Sequence, residues 1–481
     1  MKKRITLLIF MVFILISVSS SGCGSMREPI LPPKKPVVVT FWHSYNNFAK
    51  SVIDEMILEF NDTIGSEKGI IIDAYGYGEQ KKLEEALYNS ANKVMGAEVM
   101  PDMFISYPDN ARRIDEYAPL VDLTRYFSEE ELGAYRTEFL EEGIFGEGEP
   151  PRMIPVAKST EFVFVNATDW KKFASENGRS GSEEELEATF SSWERIVEAA
   201  QQYYQWSGGK PMLGINLNND IMYVTASQLG EAPFEFAGGK ISFRYGRDTA
   251  KKIWDTCYVP HIKGWFESVF YNQDAIKSGR LIAYIGSSAG SGYFPSNVTI
   301  DAKNCYPIDC SVVSYPAFNE TKRYMAQRGA NIAIVKSDEV REYAAAEFVK
   351  WFTSEEQSIK FAVSTGYIPV TNKALESKDK IYERISVGED NKEALNKSVA
   401  TALRAVETRE FVAKRPFKNS YEINSVFNNS IFKKIESDLK EKNRRISNGE
   451  SEQDVIQQLC GEENFDVWYN SLVRDIETSL K

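Results

Sequence analysis

Histidine is scarce in this chain, and the scarcity narrows the enzyme classes that the sequence supports. Only His43 and His261 occur among the 481 residues. Most general acid–base chemistry near neutral pH, zinc hydrolysis and the serine–histidine triads depend on this side chain. The sequence therefore gives little support to catalysis of these kinds.

Cysteines and basic stretches are also few. The formal net charge is −12 and no basic stripe is visible, so we do not expect a nucleic acid as a partner. Cys305 and Cys310 lie close together, but no second Cys/His pair stands near them to complete a metal site. For these two cysteines, free thiols and one local disulfide remain open alternatives. No metal and no other cofactor is expected.

Long apolar runs are confined to the N-terminus. Met1 to Arg4 is basic, Ile5 to Val18 is a run of 14 mostly apolar residues, and small residues then lead to Cys23. This order is typical of a secretory signal peptide, here residues 1–22, and the run is too short to span a bilayer of roughly 30 Å. The cysteine after Gly22 resembles a bacterial lipobox, although Ser20 stands where Leu or Val is usual. A plain secreted protein with an incidental Cys23 is the alternative.

The segment that follows, residues 23–37, predicts a tether. It contains Pro29, Pro32, Pro33 and Pro36, a composition that stays extended and packs no core. At about 3 Å per residue it reaches on the order of 40 Å. We therefore expect Cys23 to carry the lipid, palmitate included, and the folded body to lie on the extracytoplasmic face of the cell membrane.

Alternating apolar runs and amphipathic segments predict the α/β class. Strands are expected at Val37–Trp42, Ile70–Tyr75 and Asp102–Tyr107, with helices between them, which is a βαβ pattern. A second set begins after the turn Gly146–Pro151, and helices dominate the last hundred residues. The sequence thus predicts sheets covered by helices in two lobes.

Several local motifs, taken in order, resemble one protein family. Phe41-Trp42-His43 closes the first strand, Pro101-Asp102 opens the third, and Thr365-Gly366-Tyr367-Ile368-Pro369 stands late in the chain. Together with Ile154–Asn166 and Gly279–Tyr284, these segments are similar to the extracellular solute-binding proteins (family 1) of bacterial ABC importers. The branch is that of the maltose- and glycerol-3-phosphate-binding proteins.

The resemblance implies a periplasmic-binding-protein type II fold with a ligand cleft between two lobes. Chain crossings are then expected near residues 156–160, 312–316 and 366–371. Lobe 1 would comprise residues 38–157 and 315–366, and lobe 2 residues 158–314 and 367–481. The ligand is held by hinge closure and delivered to a membrane permease, and no bond is made or broken.

The resemblance also implies a set of ligand-binding residues, carried over from the glycerol-3-phosphate binders. They are Tyr75, Asp109, Ser159, Ser288, Gly329, Tyr367 and Lys418. Asp109 matches with a one-residue slip, and Lys418 replaces an arginine, which removes the bidentate fork suited to phosphate. Asn218-Asn219-Asp220 replaces a Trp-containing loop. A neutral sugar is therefore as plausible a ligand as a polyol phosphate.

Aromatic side chains supply the flat faces that sugars require. The candidates are Trp42, Tyr45, Tyr75, Tyr77, Tyr107, Tyr223, Tyr293 and Tyr367, with core packing as the alternative role for each and slightly favoured for Trp42.

Other functions remain open on the sequence. The glycine-rich run Gly286–Gly292 is read as a binding loop, although it also satisfies the G-x-S-x-G pattern of α/β hydrolases. That reading is weak, because both histidines precede Ser288 in the chain. Paired acids leave a surface-anchored glycoside hydrolase as the best enzyme alternative, and an adhesin or scaffold as a third class.

Overall fold

Two five-stranded sheets organise the molecule. The computed structural model describes residues 35–216, 220–269, 272–386 and 392–481. The predicted signal peptide, Cys23, most of the tether and the Asn218-Asn219 pair lie outside these ranges. The strands are β1 (Val37–His43), β2 (Ile70–Gly76), β3 (Met103–Ser106), β4 (Met153–Ser159), β5 (Glu161–Asn166), β6 (Leu213–Asn216), β7 (Phe234–Ala237), β8 (Lys240–Phe243), β9 (Phe266–Val269), β10 (Ala283–Ser287), β11 (Asn297–Thr299), β12 (Cys305–Pro307), β13 (Cys310–Ser314), β14 (Tyr324–Ala326), β15 (Arg328–Ile334) and β16 (Glu410–Val412).

Helices flank the sheets, and the mixed α/β class predicted from the sequence is confirmed. The first ten α-helices are α1 (Asn47–Phe60), α2 (Ser66–Lys68), α3 (Gln80–Ala91), α4 (Pro108–Asp115), α5 (Glu129–Gly133), α6 (Thr137–Glu141), α7 (Ala167–Glu176), α8 (Glu183–Phe190), α9 (Trp193–Trp206) and α10 (Ile221–Gln228). The others are α11 (Arg247–Ile253), α12 (Val259–Ile262), α13 (Asn272–Lys277), α14 (Glu339–Phe352), α15 (Glu355–Thr365), α16 (Asn372–Glu376), α17 (Lys378–Ser386), α18 (Glu393–Thr408), α19 (Ser420–Ser447), α20 (Glu452–Leu459) and α21 (Glu462–Ser479).

The first sheet has the strand order β2-β1-β3-β15-β4. Strands β1, β2 and β3 run parallel, while β15 is antiparallel to both β3 and β4. Helix α1 shows how the sequence covers this sheet: Val52, Ile53, Met56, Ile57 and Phe60 recur on one face and are buried. The helix begins at Asn47, directly after β1, as the apolar spacing predicts.

The second sheet repeats the arrangement with the order β13-β5-β10-β6-β9. Strand β5 is antiparallel to its neighbours β10 and β13, whereas β10, β6 and β9 run parallel. All six residues of β5 are buried, which explains why the apolar run EFVFV is readable as a strand. The three two-stranded sheets, β7-β8, β11-β12 and β14-β16, were not predicted, because strands of three or four residues carry too little pattern.

The chain passes between the two sheets at segments that lie side by side. Strand β4 of the first sheet ends at Ser159 and β5 of the second begins two residues later, at Glu161. Ser159 pairs with Arg328 at the start of β15, and Lys158 forms an isolated bridge with Ile368. The amide of Ile368 donates to the carbonyl oxygen of Lys158 at 2.5 Å. We call the segments near residues 159–161, 314–328 and 366–371 the first, second and third crossing.

Gly329 permits the close approach of β15 to β4. Its φ is +97°, and a Cβ atom at this position would lie 2.2 Å from the carbonyl oxygen of Ala157. No real Cβ tolerates that distance, so any side chain forces the two strands apart. The glycine is thus required by the backbone of the second crossing.

We expect Gly329→Ala to lower the free energy of unfolding by more than the roughly 1–2 kcal/mol of left-handed backbone strain alone, because the Ala157 carbonyl must also move. Gly208→Ala is the matched control, since Gly208 has a φ of +73° and open space around it. Urea unfolding measures both variants. Equal losses for the two variants would contradict the close-approach argument.

Candidate functional site

Four tyrosines from four separate segments come together beside the third crossing. Tyr45 follows β1, Tyr107 precedes α4, Tyr293 ends the turn after β10, and Tyr367 lies in the crossing itself. The rings of Tyr45 and Tyr367 meet edge to face, with centroids 6.0 Å apart. Burial, then the phenols of Tyr107 and Tyr293, raise the pKa of Tyr367, while Arg328 opposes the rise. We call Tyr45, Tyr107, Tyr293 and Tyr367 the tyrosine cluster.

The cluster joins elements of both sheets and keeps open ring surface. Tyr45 and Tyr107 flank β1 and β3 of the first sheet, while Tyr293 follows β10 of the second. Tyr107 is 37% exposed and Tyr293 is 44% exposed, whereas Tyr45 is buried. Exposed phenol faces beside buried hydroxyls form a surface suited to a ligand that is apolar on one face and polar at its edges.

Three buried hydroxyl groups near this cluster have no hydrogen-bond partner within the described part of the protein. They belong to Tyr45, Thr160 and Ser291. Thr160 lies in the first crossing and its carbonyl accepts from the Ser288 amide at 2.8 Å, while Ser291 Oγ lies close to Gly366 of the third crossing. A buried hydroxyl without a partner costs about 1–3 kcal/mol. The three hydroxyls are therefore the candidate polar contacts of the site.

An ion-pair cluster lies next to the tyrosines, formed by Glu161, Asp220, Arg328 and Lys414. Arg328 donates to Glu161 Oε1 at 2.7 Å, and its Nε lies 3.7 Å from Asp220 Oδ2. Lys414 Nζ donates to Asp220 Oδ1 at 2.6 Å. Both carboxylates are almost fully buried. Each cation is thus matched by a carboxylate, and the four side chains carry no net charge when all are ionised.

The two acids of this cluster titrate differently. Burial raises the pKa of Glu161 to about 7, and the nearby Asp220 charge adds to this rise while Arg328 opposes it. Burial also disfavours ionised Asp220, but Lys414 and then Arg328 outweigh it and hold the pKa of Asp220 below its usual value. Glu161 is consequently the group of the cluster that changes charge near neutral pH.

A strip of aromatic rings lies at the carboxyl ends of β1 and β2. Trp42 is buried and meets Tyr77 edge to face with centroids 5.1 Å apart, and Tyr77 meets Tyr75 in the same way at 4.9 Å. Tyr75 is 54% exposed. The burial of Trp42 agrees with the core role that the sequence slightly favoured, whereas Tyr75 keeps its ring open.

The predicted residues Tyr75, Ser159 and Tyr367 all lie at strand ends or crossings. Tyr75 stands near the end of β2, and Ser159 is 4% exposed at the end of β4, opposite Arg328. Tyr367 is half-buried and stacks on Phe361, with ring centroids 5.5 Å apart. Of these three, Tyr367 is the one that the tyrosine cluster contains.

Ser288 and Gly329, two further predicted residues, are engaged by the backbone of the crossings. Ser288 is buried, its amide donates to Thr160, and its Oγ accepts from the Thr160 amide at 3.4 Å. Gly329 occupies the close approach described above. In both cases the structure supplies a packing reason for the residue type.

Asp109, two residues after Tyr107, and Lys418 are the last two predicted residues. Asp109 is at the start of α4 and accepts hydrogen bonds from Ser420 and Asn424. Lys418 is exposed just before α19. Lys414 of the same loop is the lysine that reaches the ion-pair cluster.

The alternative chemistries can be compared with the geometry of the described residues. A short 3-10 turn, Ser288–Tyr293, follows β10, where a nucleophile elbow requires an α-helix. Burial lowers the pKa of both His43 and His261 to about 4. The neighbouring acids Glu161 and Asp220 are each bound to a cation, as shown above. Among the described residues, no group of three His, Cys, Asp or Glu side chains is placed to hold a metal ion.

The structure also shows the state of the cysteines and the character of the helices. Cys305 and Cys310, like the other two described cysteines, are free thiols, so the disulfide alternative is not realised. Within the described ranges, no helix combines the length and the apolar character needed to cross a bilayer.

Glu161, Asp220, Arg328 and Lys414 were missed as site residues by sequence reasoning. Arg328 directly precedes the predicted Gly329, and Glu161 stands two residues after the predicted Ser159. Adjacency to those positions was the available signal. Lys414 and Asp220 are 194 residues apart in the chain, and nothing local to either predicts their pairing.

We expect Glu161 to make the stability depend on pH. Because its pKa is raised from about 4.5 to about 7, the native state holds an extra proton between these values. The free energy of unfolding then falls as pH rises through this window, by up to about 1.4 kcal/mol per pH unit. Glu161→Gln removes this contribution, which chemical denaturation between pH 4.5 and 8 measures. An unchanged pH profile would show that Glu161 titrates normally.

The chain is similar to known proteins in both sequence and structure. A sequence profile of the bacterial extracellular solute-binding proteins matches residues 75–384. No curated protein sequence matches the chain. The cyclic alpha-maltosyl-1,6-maltose binding protein of Arthrobacter globiformis is a similar structure, 17% identical, with a TM-score of 0.62 over 92% of this chain and 100% of that one.

Two further structures are similar over nearly the whole chain. UgpB from Mycobacterium tuberculosis, solved with glycerophosphocholine, is 14% identical with a TM-score of 0.61, covering 91% of this chain and 99% of that chain. The Listeria monocytogenes ABC substrate-binding protein Lmo0181, solved with cycloalternan, is 12% identical with a TM-score of 0.63. The match covers 91% of this chain and 100% of that chain. These likenesses confirm the predicted two-lobed periplasmic-binding-protein fold. Because the profile spans well over half of its residues, the chain belongs to the bacterial extracellular solute-binding proteins.

Proposed function

We propose that this solute-binding protein captures an uncharged saccharide by closure of its two lobes and delivers it to the permease of an ABC importer. The observation that carries the proposal is the tyrosine cluster together with three hydroxyls, one within it and two beside it, that have no partner in the described protein. Sugars present C–H faces that pack on aromatic rings and hydroxyls that pair with buried polar groups. The cluster and the neighbouring hydroxyls of Thr160 and Ser291 offer both kinds of contact.

The charges near the cluster favour a neutral ligand over a polyol phosphate. Arg328 and Lys414 are the partly buried cations of the ion-pair cluster, and each is already bound to a carboxylate. A phosphate would have to displace Glu161 or Asp220 and leave a buried carboxylate without its cation. Glycerol-3-phosphate and its diesters are therefore the second candidates, to be tested beside the sugars.

We also propose a division into lobes and a membrane anchor. Residues 1–22 are removed as a signal peptide, Cys23 receives the lipid, and residues 23–37 tether the body to the membrane. Lobe 1 consists of residues 38–157 and 315–366, and lobe 2 of residues 158–314 and 367–481. The sheets that these ranges contain support the division, because β4 and β5 belong to different sheets.

A glycoside hydrolase and an adhesin are the competing classes, and purified protein separates them from a binding protein. A hydrolase turns over oligosaccharides, whereas a binding protein returns them unchanged. An adhesin or scaffold that has no small solute gains no thermal stability from any sugar or polyol phosphate.

The Tyr45 hydroxyl gives the sharpest test of the site. Because it is buried without a partner in the described protein, Tyr45→Phe is expected to leave the melting temperature of the free protein unchanged or slightly raised. The same variant should weaken saccharide binding about 2- to 10-fold, as the loss of one neutral hydrogen bond does. Calorimetric titration with maltose, maltotriose and cyclic maltosyl-maltose measures the effect, after a thermal-shift screen with the same sugars, glycerol-3-phosphate and glycerophosphocholine.

Tyr135→Phe is the matched control, because the Tyr135 hydroxyl is bonded to Thr353 within the protein at 2.7 Å. This variant should lose stability and keep its affinity. A solute at 100 times its dissociation constant adds about 2.7 kcal/mol to stability. No shift with any sugar or polyol phosphate, or full saccharide affinity in Tyr45→Phe, would count against the proposed site.

Anchoring is tested separately at Cys23. We expect Cys23→Ala to release the protein from the membrane fraction without changing its melting temperature, because the tether packs no core. Phase separation in detergent, followed by thermal melting, checks both parts. Persistent partitioning of the variant into the detergent phase would contradict lipidation at this residue.

A further inference from the structure

The beginning of α19 makes a second junction between the two sides of the molecule. Helix α19 packs on α10, which follows β6 in the chain, and on α12, which precedes β9; both strands belong to the second sheet. Its first turns contact α4, which follows β3 of the first sheet. The contacts involve six side chains, three from each side. We call this set the clasp: Glu84, Asp109 and Arg113 on the first side, and Ser420, Tyr421 and Asn424 on the second.

Asp109 is the centre of the clasp. One of its carboxylate oxygens accepts from the Ser420 hydroxyl at 2.5 Å and the other from the Asn424 amide at 2.7 Å. Ser420 and Asn424 are both buried, and the Tyr223 hydroxyl donates to the Asn424 carbonyl oxygen, which orients the amide toward Asp109. The acid is therefore occupied on both oxygens by groups of the opposite side.

Contacts on either side of Asp109 extend the junction. The Tyr421 hydroxyl donates to Glu84 of α3 at 2.7 Å. The Arg113 guanidinium lies over the Tyr421 ring, 3.9 Å from its centroid. It also lies over the Tyr88 ring, 4.6 Å from that centroid. Cation–π contacts and hydrogen bonds to carboxylates are among the stronger polar interactions available to a protein.

We propose that Asp109 is a positioning residue of the closed form, which holds the two lobes together through Ser420 and Asn424 and does not contact the solute. The inference rests on the proposed function, because it assigns a role in closure. The contacts of the clasp require α4 and α19 to be adjacent. They therefore stabilise the closed form whether or not a solute is bound. The apparent affinity for a solute rises with the fraction of molecules that are closed.

Small-angle X-ray scattering of the ligand-free full chain tests the clasp without any solute. Asp109→Asn and Ser420→Ala should each lower the closed-to-open ratio by roughly 10- to 100-fold, as the loss of a hydrogen bond to a charged group does, and so increase the radius of gyration. The double variant should show no larger change than Asp109→Asn alone, because the Ser420 hydroxyl acts through its hydrogen bond to Asp109. Tyr117→Phe, a nearby tyrosine outside the clasp, is the control.

An unchanged radius of gyration in both single variants, or effects that add in the double variant, would overturn the proposal. If Asp109→Asn fails to fold, the smaller change Ser420→Ala decides the same question. Maltotriose and glycerophosphocholine then serve as probes: the clasp predicts that each variant weakens whichever binds only by as much as it lowers the closed-to-open ratio. A loss of affinity in Asp109→Asn beyond its change in scattering would make Asp109 a ligand contact. If neither probe binds, the proposed function fails while the scattering still decides the clasp.

Discussion

The pairing of the three crossings is the constraint on which the rest of the structure depends. Strand β4 is held on one side by β15 and on the other by the bridge from Lys158 to Ile368. Because the crossings lie side by side, Thr160, Arg328 and Tyr367 come together although they are far apart in the chain. The site is thus assembled from backbone that connects the two sheets, and movement of one sheet relative to the other changes the site directly.

The charged groups and the hydroxyls of this region differ in whether they have partners within the described protein. The buried charges are satisfied within the protein, since Glu161 and Asp220 hold Arg328 and Lys414. The buried hydroxyls of the same region, such as that of Tyr45, are left without partners in the described chain. On the proposed function, such a site discriminates by hydroxyl geometry and not by charge, because the energetic cost of an unmade hydrogen bond falls on ligands that cannot supply it.

The secondary structure of the buried regions could be predicted from the sequence, and the side-chain partners could not. Strands β1 and β5 are apolar runs with sharp ends, so their positions followed from composition and spacing. Lys414 and Lys418 stand in one loop with similar surroundings in sequence, yet the first is bound to Asp220 and the second is exposed. Asp109 similarly matched a family position, while its partners, more than 300 residues away, could be found only in three dimensions.

A buried ion pair lies beside the first crossing. Lys158 is fully buried and donates to Glu142 at 2.6 Å, and burial lowers the pKa of this lysine. Removing one member of such a pair leaves an uncompensated buried charge, at a cost of about 3–5 kcal/mol, whereas replacing both by apolar residues is often tolerated. We therefore expect the two residues to be substituted together or not at all in descendants of this sequence, although 16 residues separate them in the chain.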